Sequence, residues 1–297
     1  MGPRLHLKYK GIAPKTSRVY RKEVDRFFQY LSAESIVLPS CLTDLDAILA
    51  EYVNVMYQNG DSLTQAGWLL SGLRRFLPEV RFRIPTAQQY YQNWVRDHVP
   101  FRAVPLPWLV VKALSAAAYQ SGHKDLAVLL LLAFCFFLRS VEFITLRRDQ
   151  IVLDLQTGQV ILTLERTKTS KQFQQSLVLR HRKLTNLLAK ALTGLPSSGP
   201  IWPYSAAQFR SCFTALLDHF ALVPYNFSLY SIRRGGATHS YVQSRDLNSV
   251  AIQGRWRDLK TARIYLDDAR ATLVKLSFAP PISHHLTATA AFWHFFR

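Results

Sequence analysis

Between Ser228 and Leu266 the chain reads SLYSIRRGGATHSYVQSRDLNSVAIQGRWRDLKTARIYL. The stretch places Arg233, Arg234, Trp256 and Tyr265 at spacings that one helical hairpin could gather around a single phosphate. Arginine suits that anion, because its planar fork donates paired hydrogen bonds to two oxygens and stays charged at any working pH. Tyrosine is a competent covalent nucleophile once its hydroxyl is placed and its developing charge neutralised. Upstream, Arg139 stands at the end of the most apolar helical stretch, with Glu142 three residues later. A charge at a core boundary needs a partner, and Glu142 can orient the guanidinium. Lys168, with Lys171 as competitor, falls in the polar turn ERTKTSK between two strand-like runs.

The elements that must position these groups follow from periodicity. Helices are expected from Pro14 through Leu31, near Thr43, from Ser62 to Phe76 and over Thr86–Arg96, making a small helical domain of residues 1–99. Lys15, Arg18, Arg21 and Lys22 crowd the start of the first helix. Cations there oppose the helix macrodipole, which hints at an external anion. Residues 100–107 hold three prolines and read as an extended linker. A second domain, residues 108–275, begins with the helix Trp108–Tyr119 and an apolar helix ending at Leu138. Three strand-like runs follow, Ile151–Leu153, Val160–Leu164 and Ser176–Leu179, predicting a small antiparallel sheet. Helices return at Lys183–Leu192, Ala206–Phe220, Ser228–Val242, Leu247–Gln253 and near Thr261, leaving a tail of residues 276–297. Gly235 and Gly236 cost about 1 kcal/mol each against alanine in a helix, so close backbone approach to DNA or to a neighbouring helix must compensate. Arg233 is favoured for the phosphate; Arg234 lies about 100° around the helix from it.

Composition narrows the function class. Hydrophobic content of 49% with 19% charged residues is globular, and 297 residues suffice for two cores. Against 19 Asp+Glu stand 37 Lys+Arg, a net charge of +18, which points to a polyanionic partner, nucleic acid above all. Cys41, Cys135 and Cys212 are too few and too far apart for a disulfide framework or a zinc site, and read as buried thiols in a reducing compartment. The longest apolar run, Leu126–Leu138, has 13 residues, short of the roughly 20 of a membrane helix. Neither a metal cluster nor a P-loop is visible, so no cofactor is expected.

Taken in order, Leu138-Arg139-Ser140-Val141-Glu142, Thr167-Lys168-Thr169, Tyr230-Ser231-Ile232-Arg233, Gly254-Arg255-Trp256 and Tyr265 resemble the active-site set of the tyrosine recombinases, the phage-integrase family. The wording Arg-Arg-Gly-Gly-Ala-Thr and Gly-Arg-Trp is similar to crypton- and DIRS-like recombinases of eukaryotic mobile elements. The resemblance implies a mainly α fold with a small three-stranded antiparallel sheet, in a two-domain DNA clamp whose first domain is a SAM-like core-binding module. It implies a site-specific recombinase or integrase that cleaves and rejoins DNA through a 3′-phosphotyrosyl bond, without metal or ATP. Tyr265 is then the nucleophile, Arg139 and Arg233 neutralise the phosphate, Lys168 protonates the departing 5′-oxygen, and Trp256 and Tyr230 add hydrogen bonds. Lys15, Arg18, Arg21, Lys22, Lys171, Arg234 and Arg255 are expected to touch DNA. The implied partners are double-stranded DNA and further copies of the chain, as a tetramer on DNA, with the aromatic tail docking on a neighbouring copy. An intracellular, nucleus-compatible location goes with them.

One position departs from that set: Tyr230 stands where the family has histidine, and a phenol with a reference pKa near 10 is a poor base at neutral pH. His239 is too far along the helix to be expected to replace it. Two other readings stay open, a recombinase-derived protein that binds DNA without cutting it, and a type IB topoisomerase-like enzyme.

Overall fold

The computed structural model describes residues 11–99, 102–164 and 175–293. The chain divides into two units, Met1–Phe101 and Arg102–Arg297. In the first, helices α1 (Pro14–Ala33), α2 (Leu42–Gln58), α3 (Leu63–Phe76) and α4 (Pro85–Asp97) enclose a core that includes Phe27, Leu49, Met56, Leu69 and Ala87. Their starts are set by local chemistry. Proline opens α1 and α4, and Ser62 with Gln65 forms a capping box on α3. The buried Asp46 of α2 accepts the backbone N–H groups of Thr86 and Ala87 at 2.8 and 2.9 Å, so one helix's carboxylate caps another's positive end. Cys41 is exposed and not buried as expected; its Sγ accepts the Asp44 N–H at 3.3 Å and caps α2.

The second unit runs α5 (Trp108–Gln120), α6 (Lys124–Cys135), α7 (Ser140–Ile144), β1 (Ile151–Asp154), β2 (Gln159–Leu164), β3 (Gln175–Arg180), α8 (Arg182–Leu192), α9 (Ala206–His219), α10 (Leu229–Ser244), α11 (Leu247–Gly254), α12 (Leu259–Tyr265), α13 (Asp268–Leu276) and α14 (Pro280–Ala291). Among the described residues the fold is mainly α with one antiparallel sheet of order β1-β2-β3. In its centre, Val160, Leu162 and Leu164 alternate inward. α6 is apolar all round and buried, between α5, α8 and α10.

Three details differ from the sequence-based expectation. The apolar helix stops at Cys135 rather than Leu138, because Phe137 takes a left-handed conformation (φ 48°) and the Leu138 N–H turns back to the Ala133 carbonyl at 3.0 Å, a Schellman stop. Ala103–Pro107 do not hang between the units. They are buried in the second one, where the Leu106 N–H donates to the Ser231 carbonyl at 3.0 Å. The tail, expected to dock on another copy, forms α14 instead. α14 packs on α5 of the same chain, burying Leu286 and Ala290, and the Trp293 indole N–H donates to the Lys112 carbonyl at 3.0 Å.

Candidate active site

Arg233 is the centre of the site. α10 carries it inward to 1% exposure, the largest side chain so fully buried among the described residues. Its guanidinium donates to two backbone carbonyls, Phe137 through Nη1 and Gly254 through Nη2, the latter at 2.7 Å. Both carbonyls sit beside Schellman turns that place a non-glycine residue in the left-handed region: Phe137 after α6, and Arg255 (φ 56°) after α11. At Arg255 the same pattern recurs, with the Trp256 N–H returning to the Ala251 carbonyl at 3.0 Å. The helix ends thus aim carbonyls at a cation that would otherwise be buried unpaired. α10 comes this close because Gly235 and Gly236 lack side chains. A Cβ on Gly235 would strike the Leu106 carbonyl, and one on Gly236 the Phe134 carbonyl. The expected close approach is to this chain's own backbone.

The aromatic groups gather over the same guanidinium. Arg233 Cζ is 4.8 Å from the Trp256 ring and 5.4 Å from the Tyr265 ring. Trp256 and Tyr265 are 4.5 Å apart, and Tyr230 lies 5.6 Å from Tyr265, centroid to centroid. A small core of Phe137, Ala237 and Val250, with Tyr241, Trp256, Tyr265 and Leu266 packed on it, holds α12 in place. Thr238 Oγ1 adds a bond to the Tyr265 carbonyl at 3.2 Å.

On the other side, Glu142 is gripped by two arginines. Its Oε1 accepts Arg139 Nη1 at 2.7 Å; its Oε2 accepts the Arg139 backbone N–H and Arg255 Nη2, both at 2.8 Å. Arg139 keeps a quarter of its side chain exposed, whereas that of Arg255 is 5% exposed. Arg255, expected on DNA, therefore turns inward. Arg234 does the same, donating to Asp267 at 3.2 Å. Lys15, Arg18, Arg21 and Lys22 are exposed on α1, in the first unit. Lys168 and Lys171 fall between β2 and β3, outside the described residues.

The electrostatics favour an anion. Burial, then the charges of Arg139 and Arg255, lower the pKa of Arg233 to about 10, so it still carries its proton at neutral pH. Burial raises the Tyr265 hydroxyl, but the polar groups of Tyr230 and Trp256 and the charge on Arg233 outweigh it and leave its pKa below that of an ordinary phenol. Tyr230, nearly half exposed, shifts the opposite way, by burial and by proximity to Tyr265. It stays a phenol. Nε of Arg233, Nε and Nη1 of Arg255 and the Trp256 indole N–H are buried without a well-formed hydrogen bond. Three guanidiniums around one carboxylate leave an excess of two positive charges. His239 does not join them; it packs against Trp108 and Phe134, ring centroids 6.0 and 5.7 Å away.

Glu142 gives a pH test. Burial raises its pKa, yet Arg255 and the hydrogen bonds from Arg139 and Arg255 outweigh that and hold it below the usual carboxylate value. A depressed carboxyl contributes stability above its unfolded pKa, about 4.3, and loses it as pH falls through the lower folded value. Wild type should therefore melt above Glu142→Gln by a steady margin from pH 8 to 5, and the margin should close below about pH 4. A margin unchanged down to pH 3, followed by calorimetry, would assign the effect to shape and not to charge.

No known family's sequence profile matches this chain, and no curated protein matches its sequence. Solved structures do. XerH site-specific recombinase bound to a palindromic difH substrate in a post-cleavage complex is 16% identical, with a TM-score of 0.61 over 93% of this chain and 79% of that one. The fold is that of the tyrosine recombinases. A lambda integrase tetramer bound to a Holliday junction matches with a TM-score of 0.58 at 16% identity, covering 88% of this chain and 74% of that one. The Tn1549 transposon integrase, residues 82–397, in complex with circular intermediate DNA gives 0.59 at 13% identity over 87% and 98%. Among the described residues no helix of this tyrosine-recombinase fold is long and apolar enough to cross a membrane.

Proposed function

We propose that the chain is a site-specific DNA recombinase or integrase that breaks and rejoins strands through Tyr265. The observation that carries this reading is the position of the Tyr265 ring 5.4 Å from the buried Arg233 guanidinium and 4.5 Å from the Trp256 ring. A phenol more acidic than an ordinary tyrosine beside a buried cation suits in-line attack on a phosphodiester. Tyr265 Oη forms a bond to phosphorus, the bond from phosphorus to the 5′-oxygen breaks, and the phenolic proton passes to solvent. Arg139 and Arg233 neutralise the non-bridging oxygens. Lys168 supplies the proton that the leaving 5′-oxygen takes up. Trp256 donates its indole N–H to a phosphate oxygen, and Tyr230 adds a weaker bond.

Double-stranded DNA is the proposed substrate, held also by Lys15, Arg18, Arg21, Lys22 and Lys171. The charge of +18 supports this, as do the neighbours' complexes with DNA. A tetramer on DNA is proposed on the likeness to the lambda integrase assembly. The raised pKa of Tyr230 favours one other reading, a protein that binds DNA without cutting it.

A library of duplexes with a randomised centre and a single nick traps a covalent intermediate, because the short 5′-ended fragment diffuses away. The proposed function predicts a denaturant-stable adduct whose digest carries nucleotide on Tyr265. Salt-sensitive binding with no adduct supports the binding module. Strand exchange between two duplexes separates a recombinase from a topoisomerase.

A further inference from the structure

Arg255 was expected to touch DNA, and the structure gives it a different occupation. Its side chain is 5% exposed, its Nη2 lies 2.8 Å from Glu142 Oε2, and its backbone holds a left-handed conformation that a non-glycine residue adopts at a cost of about 1 kcal/mol. Glu142 is only 8% exposed, and its other oxygen holds Arg139. Arg255 also lies between Gly254, whose carbonyl receives Arg233, and Trp256, whose ring covers Arg233 and Tyr265. One residue therefore ties the turn that leads to the α12 helix to the segment that carries Arg139.

Resting on the recombinase reading of the site, we propose that Arg255 is a positioning residue: through Glu142 it fixes the Arg139 guanidinium, and it sets the α11–α12 turn on which Trp256 and Tyr265 are held. It makes no contact with DNA. The physical case is a matter of charge and access. Arg139 and Arg233 repel each other, and a single carboxylate between Arg139 and Arg255 offsets part of that repulsion. Removing Arg255 leaves Glu142 one partner, so the carboxylate can swing and take Arg139 with it. A DNA phosphate cannot replace the lost partner, because it is an anion like the Glu142 carboxylate that has lost its cation.

The test compares Arg255→Gln, Arg255→Lys, Glu142→Gln and the double variant Arg255→Gln/Glu142→Gln, with the full chain and the nicked duplex. A positioning role predicts an adduct rate lowered about tenfold to a hundredfold in Arg255→Gln, as when groups that only orient another ligand are removed. DNA affinity and its salt slope should stay at the wild-type values. A lost phosphate contact would instead reduce that slope by about 0.9. Arg255→Lys keeps a cation for Glu142 and should recover most of the rate. The double variant should be no slower than the slower single one, since both act through one pair. A reduced salt slope, additive losses, or a wild-type rate in Arg255→Gln each overturns the assignment. If the wild type forms no adduct, the recombinase reading falls, and the Arg139 backbone amide decides on Arg255. That N–H is bound by Glu142 at 2.8 Å, so its hydrogen exchange, read by NMR, should quicken in Arg255→Gln. Unchanged exchange refutes the inference.

Discussion

Tyr265→Phe should abolish the covalent adduct while leaving DNA binding and melting temperature close to those of the wild type. The change removes one oxygen and keeps the ring that packs on Trp256 at 4.5 Å and over Arg233 at 5.4 Å. The Thr238 bond goes to the residue 265 carbonyl and survives. Without a nucleophile there is no partial reaction to accumulate, so the loss should reach the detection limit and not a fixed factor. The informative alternative is Tyr230, 5.6 Å from Tyr265 and nearly half exposed. Its hydroxyl holds its proton more tightly than an ordinary phenol, so it should not take over. Adduct in Tyr265→Phe, mapped to Tyr230 by peptide sequencing, would move the nucleophile to that position. Wild-type adduct levels on any other residue would remove the mechanism altogether.

Gly236→Ala should be among the most damaging single methyls in the second unit. A Cβ there overlaps the Phe134 carbonyl and comes within 2.8 Å of Phe137 Cδ1. In an ordinary helix the exchange gains about 1 kcal/mol. Here the obstacle is the backbone of α6, the most buried helix of the unit, which cannot swing aside as a side chain can. Overpacking of this kind costs about 1–3 kcal/mol, and the rigid neighbour puts it at the upper end or beyond. For a unit of this size that is a melting temperature lowered by about 6–12 °C. The shift also pulls Phe137 away from Arg233, so residual folded protein should cleave slowly. A variant that melts with the wild type would show that α10 and α6 are farther apart than described.

Much of the site was legible because its chemistry is carried by residue types in order. Arg139, Arg233, Trp256 and Tyr265 were picked out by what each can do to a phosphate, and folding gathers them. The three strands were legible from alternation, as at Val160, Leu162 and Leu164. What escaped was set by single backbone angles. Nothing in the letters announces that Phe137 and Arg255 turn left-handed, since glycine is the usual signal, and those two turns decide where α6 stops and which way Arg255 points. Arg234 escaped for a related reason: its partner, Asp267, is 33 residues away and two helices later. The destination of the tail could not be read either, because apolar residues such as Trp293 declare that they will be covered, not by which copy of the chain.

Arg233 is held by the carbonyls of Phe137 and Gly254, groups that every amino acid supplies alike. Exchange of the side chain at 137 leaves its acceptor standing as long as the chain keeps its path. The constraint falls on shape: on the bare α-carbons of Gly235, Gly236 and Gly254, where any added carbon meets a neighbour. An anion receptor framed this way can drift far in its letters, while its tolerance for a wrong contour stays close to zero.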